Sequence, residues 1–155
     1  MSYRHYDSQG WLMKICLPAS LSSLLVLHEK LIQFIHPLEI DSSSSYAMEL
    51  ALNEAFINIV KHGVNYDSTQ NITIIMQYDN NQLAVTLQDK GKPIPTEFLQ
   101  NKSGLSHMPE LLAPDSWPEN GMGLMMMFNA VDDISYTVKE GVNYLSLIKR
   151  IEEKT

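Results

Sequence analysis

Glu49-Leu-Ala-Leu-Asn-Glu54-Ala-Phe-Ile-Asn58-Ile-Val-Lys-His62-Gly63 is the stretch on which the reading of this chain turns. Its pattern predicts a helix from about Ser44 to His62, entered through Asp41 and the serine run Ser42 to Ser45 and stopped by Gly63. Glu54, Asn58 and His62 fall four residues apart, on one stripe of that helix. Around them Leu50, Leu52, Ala55, Phe56, Ile57, Ile59 and Val60 are apolar on nearly every side, so the helix is expected to be buried. A carboxylate and a carboxamide on a buried helix need partners, and a cavity holding a cation and water would supply them. The Asn58 carbonyl oxygen is a hard ligand suited to Mg²⁺, and Glu54, one turn earlier, could take a proton from an attacking hydroxyl. Taken by itself the segment fits a plain solvent-facing stripe slightly better.

Working outward, Trp11 to Leu17 reads as a first strand ended by Pro18. Leu24, Leu27, Leu31, Phe34 and Ile35 recur at helical spacing over residues 20–36, with Pro37 closing that helix. Ile72, Ile74, Met76 and Tyr78 alternate on one face of a strand over 71–78. Asp79, Asn80 and Asn81 supply turn chemistry, and Leu83, Val85 and Leu87 continue the pattern on the next strand. Residues 90–120 are broken by Pro93, Pro95, Pro109, Pro114 and Pro118, with only Leu105 to Leu112 reading as helical; so long a weakly structured segment suggests a lid or binding loop. A short helix from Leu124 to Ala130 follows, then a hairpin of Ile134 to Val138 and Tyr144 to Ile148. Strands and helices do not alternate strictly. The order predicts an α+β, two-layer sandwich: a mixed, mostly antiparallel sheet with helices on one face.

The chain has 155 residues, 45% hydrophobic and 19% charged, which suits a single folded domain. No repeat or domain boundary is visible. A net charge of -7 without a basic run argues against direct nucleic-acid binding. The single cysteine, Cys16, excludes an internal disulfide and is expected as a small buried hydrophobe in a strand. No apolar run reaches the roughly 18 to 20 residues that span a bilayer, and the N-terminus lacks a signal-peptide core, so no membrane association and a cytoplasmic location are expected.

Two more segments carry chemistry. In Leu87-Gln-Asp89-Lys-Gly91-Lys-Pro93 a carboxylate stands at the end of an apolar strand, with a glycine that lets the backbone turn past it. Such a carboxylate could accept the exocyclic amine of adenine, although an ordinary strand-ending turn is the commoner use of such a sequence. In Glu119-Asn-Gly121-Met-Gly123-Leu124, glycines open a helix where free N–H groups and the dipole favour a phosphate; a lone Gly-x-Gly is weak evidence. Met122, Met125, Met126 and Met127 are expected as adaptable core packing.

In order, content and spacing the three segments resemble the N, G1 and G2 boxes of the GHKL ATPase superfamily (gyrase, Hsp90, histidine kinase and MutL type), and most closely its branch of anti-sigma-factor serine kinases. The resemblance covers roughly residues 10–150, and it implies a Bergerat-type ATP-binding domain with its lid at about 92–120. By position, Glu54 then matches the general base and Asn58 the Mg²⁺ ligand. Asp89 matches the adenine-reading carboxylate with Gly91 beside it, and Gly121, Gly123 and Leu124 match the phosphate loop. Lys61 falls where some histidine-kinase relatives place a phosphate-contacting base; His62 fits the pattern and equally a packing or capping role. Pro93 stands where many superfamily members have a second glycine, as in the serine-kinase branch. Lys92 and Lys102 could reach the γ-phosphate, though solvated lysines account for them as well.

The resemblance implies an ATP- and Mg²⁺-dependent serine kinase that phosphorylates an anti-anti-sigma (STAS-type) partner and sequesters a sigma factor, as a homodimer. The rival is a non-catalytic ATP-binding module that only sequesters its regulator. A complete histidine kinase is disfavoured, because roughly 40 residues before the N box are too few for a phosphoacceptor hairpin beside the domain's own elements.

Overall fold

Alternation on the strands sets the architecture. In the computed structural model, which describes residues 2–7, 10–95 and 122–152, Ile72, Ile74 and Met76 of β3 (Asn71–Asp79) and Leu83, Val85 and Leu87 of β4 (Gln82–Asp89) are all fully buried. Met13 and Ile15 of β2 (Gly10–Pro18) and Leu145 and Leu147 of β6 (Val142–Arg150) join them on the same face. Two more strands, β1 (Ser2–Asp7) and β5 (Asp133–Lys139), form the edges of a six-stranded sheet of order β1-β2-β3-β4-β6-β5. Every ladder in it is antiparallel, so the expected mixed character is absent among the described residues. The polar stretch Ser2–Asp7 gave no periodic signal, and β1 was not expected from sequence.

The two hairpins bracketing the candidate site are set by their turn residues. Asn80 and Asn81 take φ of 46° and 61°, and Glu140 and Gly141 take 53° and 79°. A two-residue turn with both residues left-handed matches the right-handed twist of its strands, which fixes register.

The buried sheet face is covered by α1 (Leu24–Ile35), α2 (Ser42–Asn58) and α3 (Met122–Ala130). A 3₁₀ turn, Leu21–Ser23, leads into α1, and Pro37 lies within a second one, His36–Leu38, after it. Helix α1 buries Leu27, Leu31, Phe34 and Ile35, the predicted stripe less Leu24. The Asp41 side chain caps α2 by accepting from the Ser44 N–H at 2.9 Å, and that hydrogen bond holds its carboxyl below the ordinary range. Met48, Ala51, Leu52, Ala55 and Phe56 of α2 are completely enclosed, and His28 of α1 bonds Glu49 of α2. Burial of a side chain such as Phe56 stabilises the fold by about 1.5–3 kcal/mol.

The opposite sheet face is open. Cys16, Thr73, Gln88 and Tyr144 lie in one row across four strands there, and Thr86 and Ser146 share a hydrogen bond of 2.7 Å. Cys16 is therefore exposed, not buried as expected: the period of two that sends Met13 and Ile15 inward sends Cys16 outward. Of the methionines, Met127 is enclosed but Met126 is 39% exposed, so it is not core; the side chains of Met122 and Met125 lie outside the described part.

Candidate functional site

Helix α2 does not stop cleanly at its glycine. After Asn58 it widens into a π-turn, Ile59–Gly63, a distortion frequent at functional sites. Asn58 stands at the junction, 7% exposed, and its carboxamide nitrogen is buried with no hydrogen-bond partner. An enclosed amide left unpaired costs about 1–3 kcal/mol and needs a reason. Its neighbours on the stripe, Glu54 and His62, are half-buried, so the stripe is not a solvent face; His62 is already engaged by a neighbour, and Lys61 points into solvent.

The π-turn delivers Gly63 to the end of β4. A Cβ placed on Gly63 would lie 3.7 Å from Asp89 Oδ1. On Gly91 it would lie 2.4 Å from the Gly63 carbonyl oxygen, so this turn accepts no side chain. Gly91 is thus required by the approach of two backbones, which the Lys92 N–H seals by donating to Gly63 O at 2.7 Å.

Asp89 is 6% exposed. One of its oxygens, Oδ1, accepts from Gly91 N at 2.8 Å and from Asn143 Nδ2 at 2.9 Å. The same Asn143 amide donates to Gly91 O at 2.9 Å. Among the described residues no donor reaches the second oxygen, Oδ2. Burial pushes the Asp89 carboxyl above the ordinary carboxylate range, and the bonds from Asn143 and Gly91 oppose that shift only in part. The result is a carboxylate with one oxygen saturated by the protein and one left to accept.

Asn143 was not expected from sequence. It faces Asp89 directly across the β4–β6 ladder and is 2% exposed. The signal existed: Asn143 occupies the inward phase of a strand whose next inward residues are Leu145 and Leu147, and a polar residue in that phase demands a partner. Of the third segment, Gly123 and Leu124 lie in the first turn of α3, which packs against α2; Gly121, Lys102 and the 105–112 helix fall outside the described residues.

Among the described residues no cluster of three or more His, Cys, Asp or Glu side chains is arranged to hold a metal ion. The site instead offers the Asn58 carboxamide, whose oxygen and nitrogen exchange places by rotation about the last torsion. One amide oxygen fits a Mg²⁺ ion that takes its other ligands from phosphate and water. No helix among those residues is long and apolar enough to cross a membrane.

A helix carrying an unpaired amide, laid beside a strand end carrying a half-satisfied carboxylate, on an antiparallel sheet covered by helices, defines a class. The chain belongs to the histidine kinase-like ATPase domain family, which it matches over residues 17–149. It is similar to the serine-protein kinase RsbW of Bacillus cereus (strain AH820), 31% identical over 98 residues, which are 63% of this chain and 59% of that protein. RsbW of Bacillus mycoides (strain KBAB4) aligns with the same identity and coverage. The chain thus spans 59% of the length of these curated relatives, less than two thirds. Two solved structures share its fold. The RsbU and RsbW domains of a Mycobacterium tuberculosis protein superpose with a TM-score of 0.64 at 17% identity, over 92% of this chain and 33% of that one. The SiaB–SiaC complex of Pseudomonas aeruginosa gives 0.63 at 14% identity, over 87% of each chain.

Proposed function

We propose that this protein is an ATP-dependent serine kinase of the anti-sigma type: it phosphorylates a serine on an anti-anti-sigma, STAS-type partner and sequesters a sigma factor, acting in the cytoplasm. Residues 1–155 form one ATPase domain in this reading, with 92–120 as its lid, and two copies associate. The observation that carries it is the buried Asp89, whose Oδ1 accepts twice from the chain while its Oδ2 has no donor among the described residues. Adenine offers a donor, its exocyclic amine, where guanine offers a carbonyl that a carboxylate would repel. The likeness to the RsbW kinases supports the same reading.

The chain's residues then divide the work. Asp89 holds the base. The Asn58 amide oxygen would hold Mg²⁺, which would supply charge neutralisation for phosphoryl transfer. Gly121, Gly123 and Leu124 are assigned to the phosphate loop in this reading, where backbone N–H groups meet the phosphates. Lys61 and His62 are assigned to the same end by the family pattern alone. Glu54 takes the proton of the partner's serine hydroxyl as its oxygen bonds to the γ-phosphorus and the bond from phosphorus to the bridging oxygen breaks, leaving ADP.

The test is transfer of labelled γ-phosphate to a purified STAS-type partner. Glu54→Ala should lower the rate roughly 10²–10⁴-fold while calorimetric ATP affinity stays at the wild-type value. If this variant phosphorylates the partner at the wild-type rate, the base is misassigned. If the wild-type chain binds ATP and its partner but transfers nothing, the protein is the non-catalytic sequestering module instead.

A further inference from the structure

The segment leaving Asp89 is anchored more completely than a turn requires. Gly91 N–H donates to Asp89 Oδ1 at 2.8 Å, and Lys92 N–H donates to Gly63 O at 2.7 Å. Pro93 and Pro95 have no N–H to place. The remaining donor, Ile94 N–H, is taken at 2.9 Å by the phenol oxygen of Tyr136, 42 residues further along the chain. Every backbone donor from Gly91 to Pro95 is therefore either matched by a group from another part of the site or absent. Asn143 holds the strap from the carbonyl side through Gly91 O.

Tyr136 stands on β5, the edge strand beyond β6, opposite Leu145. Ile94 is 7% exposed, and its side chain belongs to the core on which the Tyr136 ring also packs. Burial pushes the Tyr136 phenol up from its ordinary value, and the negative charge of Asp89 adds to the shift, so the phenol stays protonated and feels the carboxylate. No other described side chain accepts from a strap N–H beyond Gly91.

We propose that Tyr136 is a positioning residue for the base end of the nucleotide pocket: by accepting the Ile94 N–H it fixes the strap Gly91–Pro95, and with it the Gly91 N–H that orients Asp89. This rests on the nucleotide reading above. The phenol touches neither base nor phosphate in this role. It acts through the strap, on the same oxygen that Asn143 holds from the other side. Losing the acceptor leaves Ile94 N–H buried and unpaired, and the strap can relieve that only by moving away from Asp89.

Tyr136→Phe keeps the ring and removes the oxygen. In calorimetry on the full chain at 15 °C, ATP and adenosine should both bind about five- to tenfold more weakly to this variant. The ratio of ATP affinities with and without Mg²⁺ should not change, because the metal end is untouched. Hydrogen exchange at the Ile94 amide should be slow in the wild-type chain and fast in the variant. A wild-type chain that fails to bind ATP sinks the nucleotide reading and this role with it. A wild-type chain that binds ATP, beside a variant that binds equally well, overturns the role of Tyr136 alone. Fast exchange of Ile94 in the wild-type chain overturns it without any variant.

Discussion

The two parts of the candidate site, the end of β4 and the end of α2, are built on opposite plans. At the strand end, Asp89, Gly91, Asn143, Gly63 and Tyr136 anchor one another's segments through hydrogen bonds within the chain. At the helix end, Asn58 is enclosed but its amide nitrogen is bonded to nothing, on a helix that has just widened into a π-turn. The first end is organised in advance, so binding there loses little conformational entropy. The second carries an unmet demand that a ligand would answer. A base, which must be told from other bases, suits the rigid end; phosphates and a metal suit the end that is completed on binding.

The largest effect expected at either end is from Asp89→Asn. The carboxamide is isosteric and its oxygen can keep the bonds from Gly91 and Asn143, but the free position becomes a donor facing a donor. ATP affinity should fall about 100-fold, the loss of a charge-assisted bond plus the new mismatch. Stability should not fall with it. A carboxyl raised above its ordinary value binds its proton more firmly in the folded chain than in the unfolded one, so stability declines as pH rises from the ordinary range to the raised value and stays lower above it. At pH 7 the variant is relieved of that penalty, and its melting temperature should equal or exceed that of the wild type. Below the ordinary carboxylate range, where Asp89 is protonated in both the folded and the unfolded chain, the relief should vanish. A variant that melts lower at pH 7 and regains parity in acid would contradict the sign. In the wild type, ATP affinity should weaken as pH falls through the raised value, since only the carboxylate accepts from the amine.

A smaller contrast separates the two asparagines. Asn143→Ala removes two hydrogen bonds and should lower the stability of the unliganded chain by about 1–3 kcal/mol in denaturant unfolding. Asn58→Ala should lower it less, because no bond to its amide nitrogen is lost. The order reverses for the metal: Asn58→Ala should abolish most of the gain in ATP affinity that Mg²⁺ confers, and Asn143→Ala should leave that gain in place. Equal stability losses would break the comparison between a finished end and an unfinished one.

Much of this was legible in the chain. Alternation at Ile72, Ile74, Met76 and at Leu83, Val85, Leu87 identified the central hairpin, and Asn80–Asn81 marked its turn because few other residue pairs accept two left-handed conformations. Glu54, Asn58 and Asp89 stood out as polar groups in apolar settings. Other features were hidden for physical reasons. An edge strand such as Ser2–Asp7 is held by backbone pairing and needs no apolar phase. Cys16 was misjudged because composition speaks of burial on average, while the strand's phase decides it for one residue. Asn143 lies one residue before the expected strand Tyr144 to Ile148, outside the stretch whose phase the apolar pattern sets. The roles of Gly63 and Tyr136 are contacts between distant segments, which no local pattern records.

The claim that both ends serve one nucleotide is tested most directly by following the side-chain amide signals of Asn58 and Asn143 by nuclear magnetic resonance while ATP is added in the presence of Mg²⁺. Both should shift together along one saturation curve, with GTP at the same concentrations moving neither. Movement of one signal without the other, or an equal response to GTP, would contradict a single adenine-reading pocket.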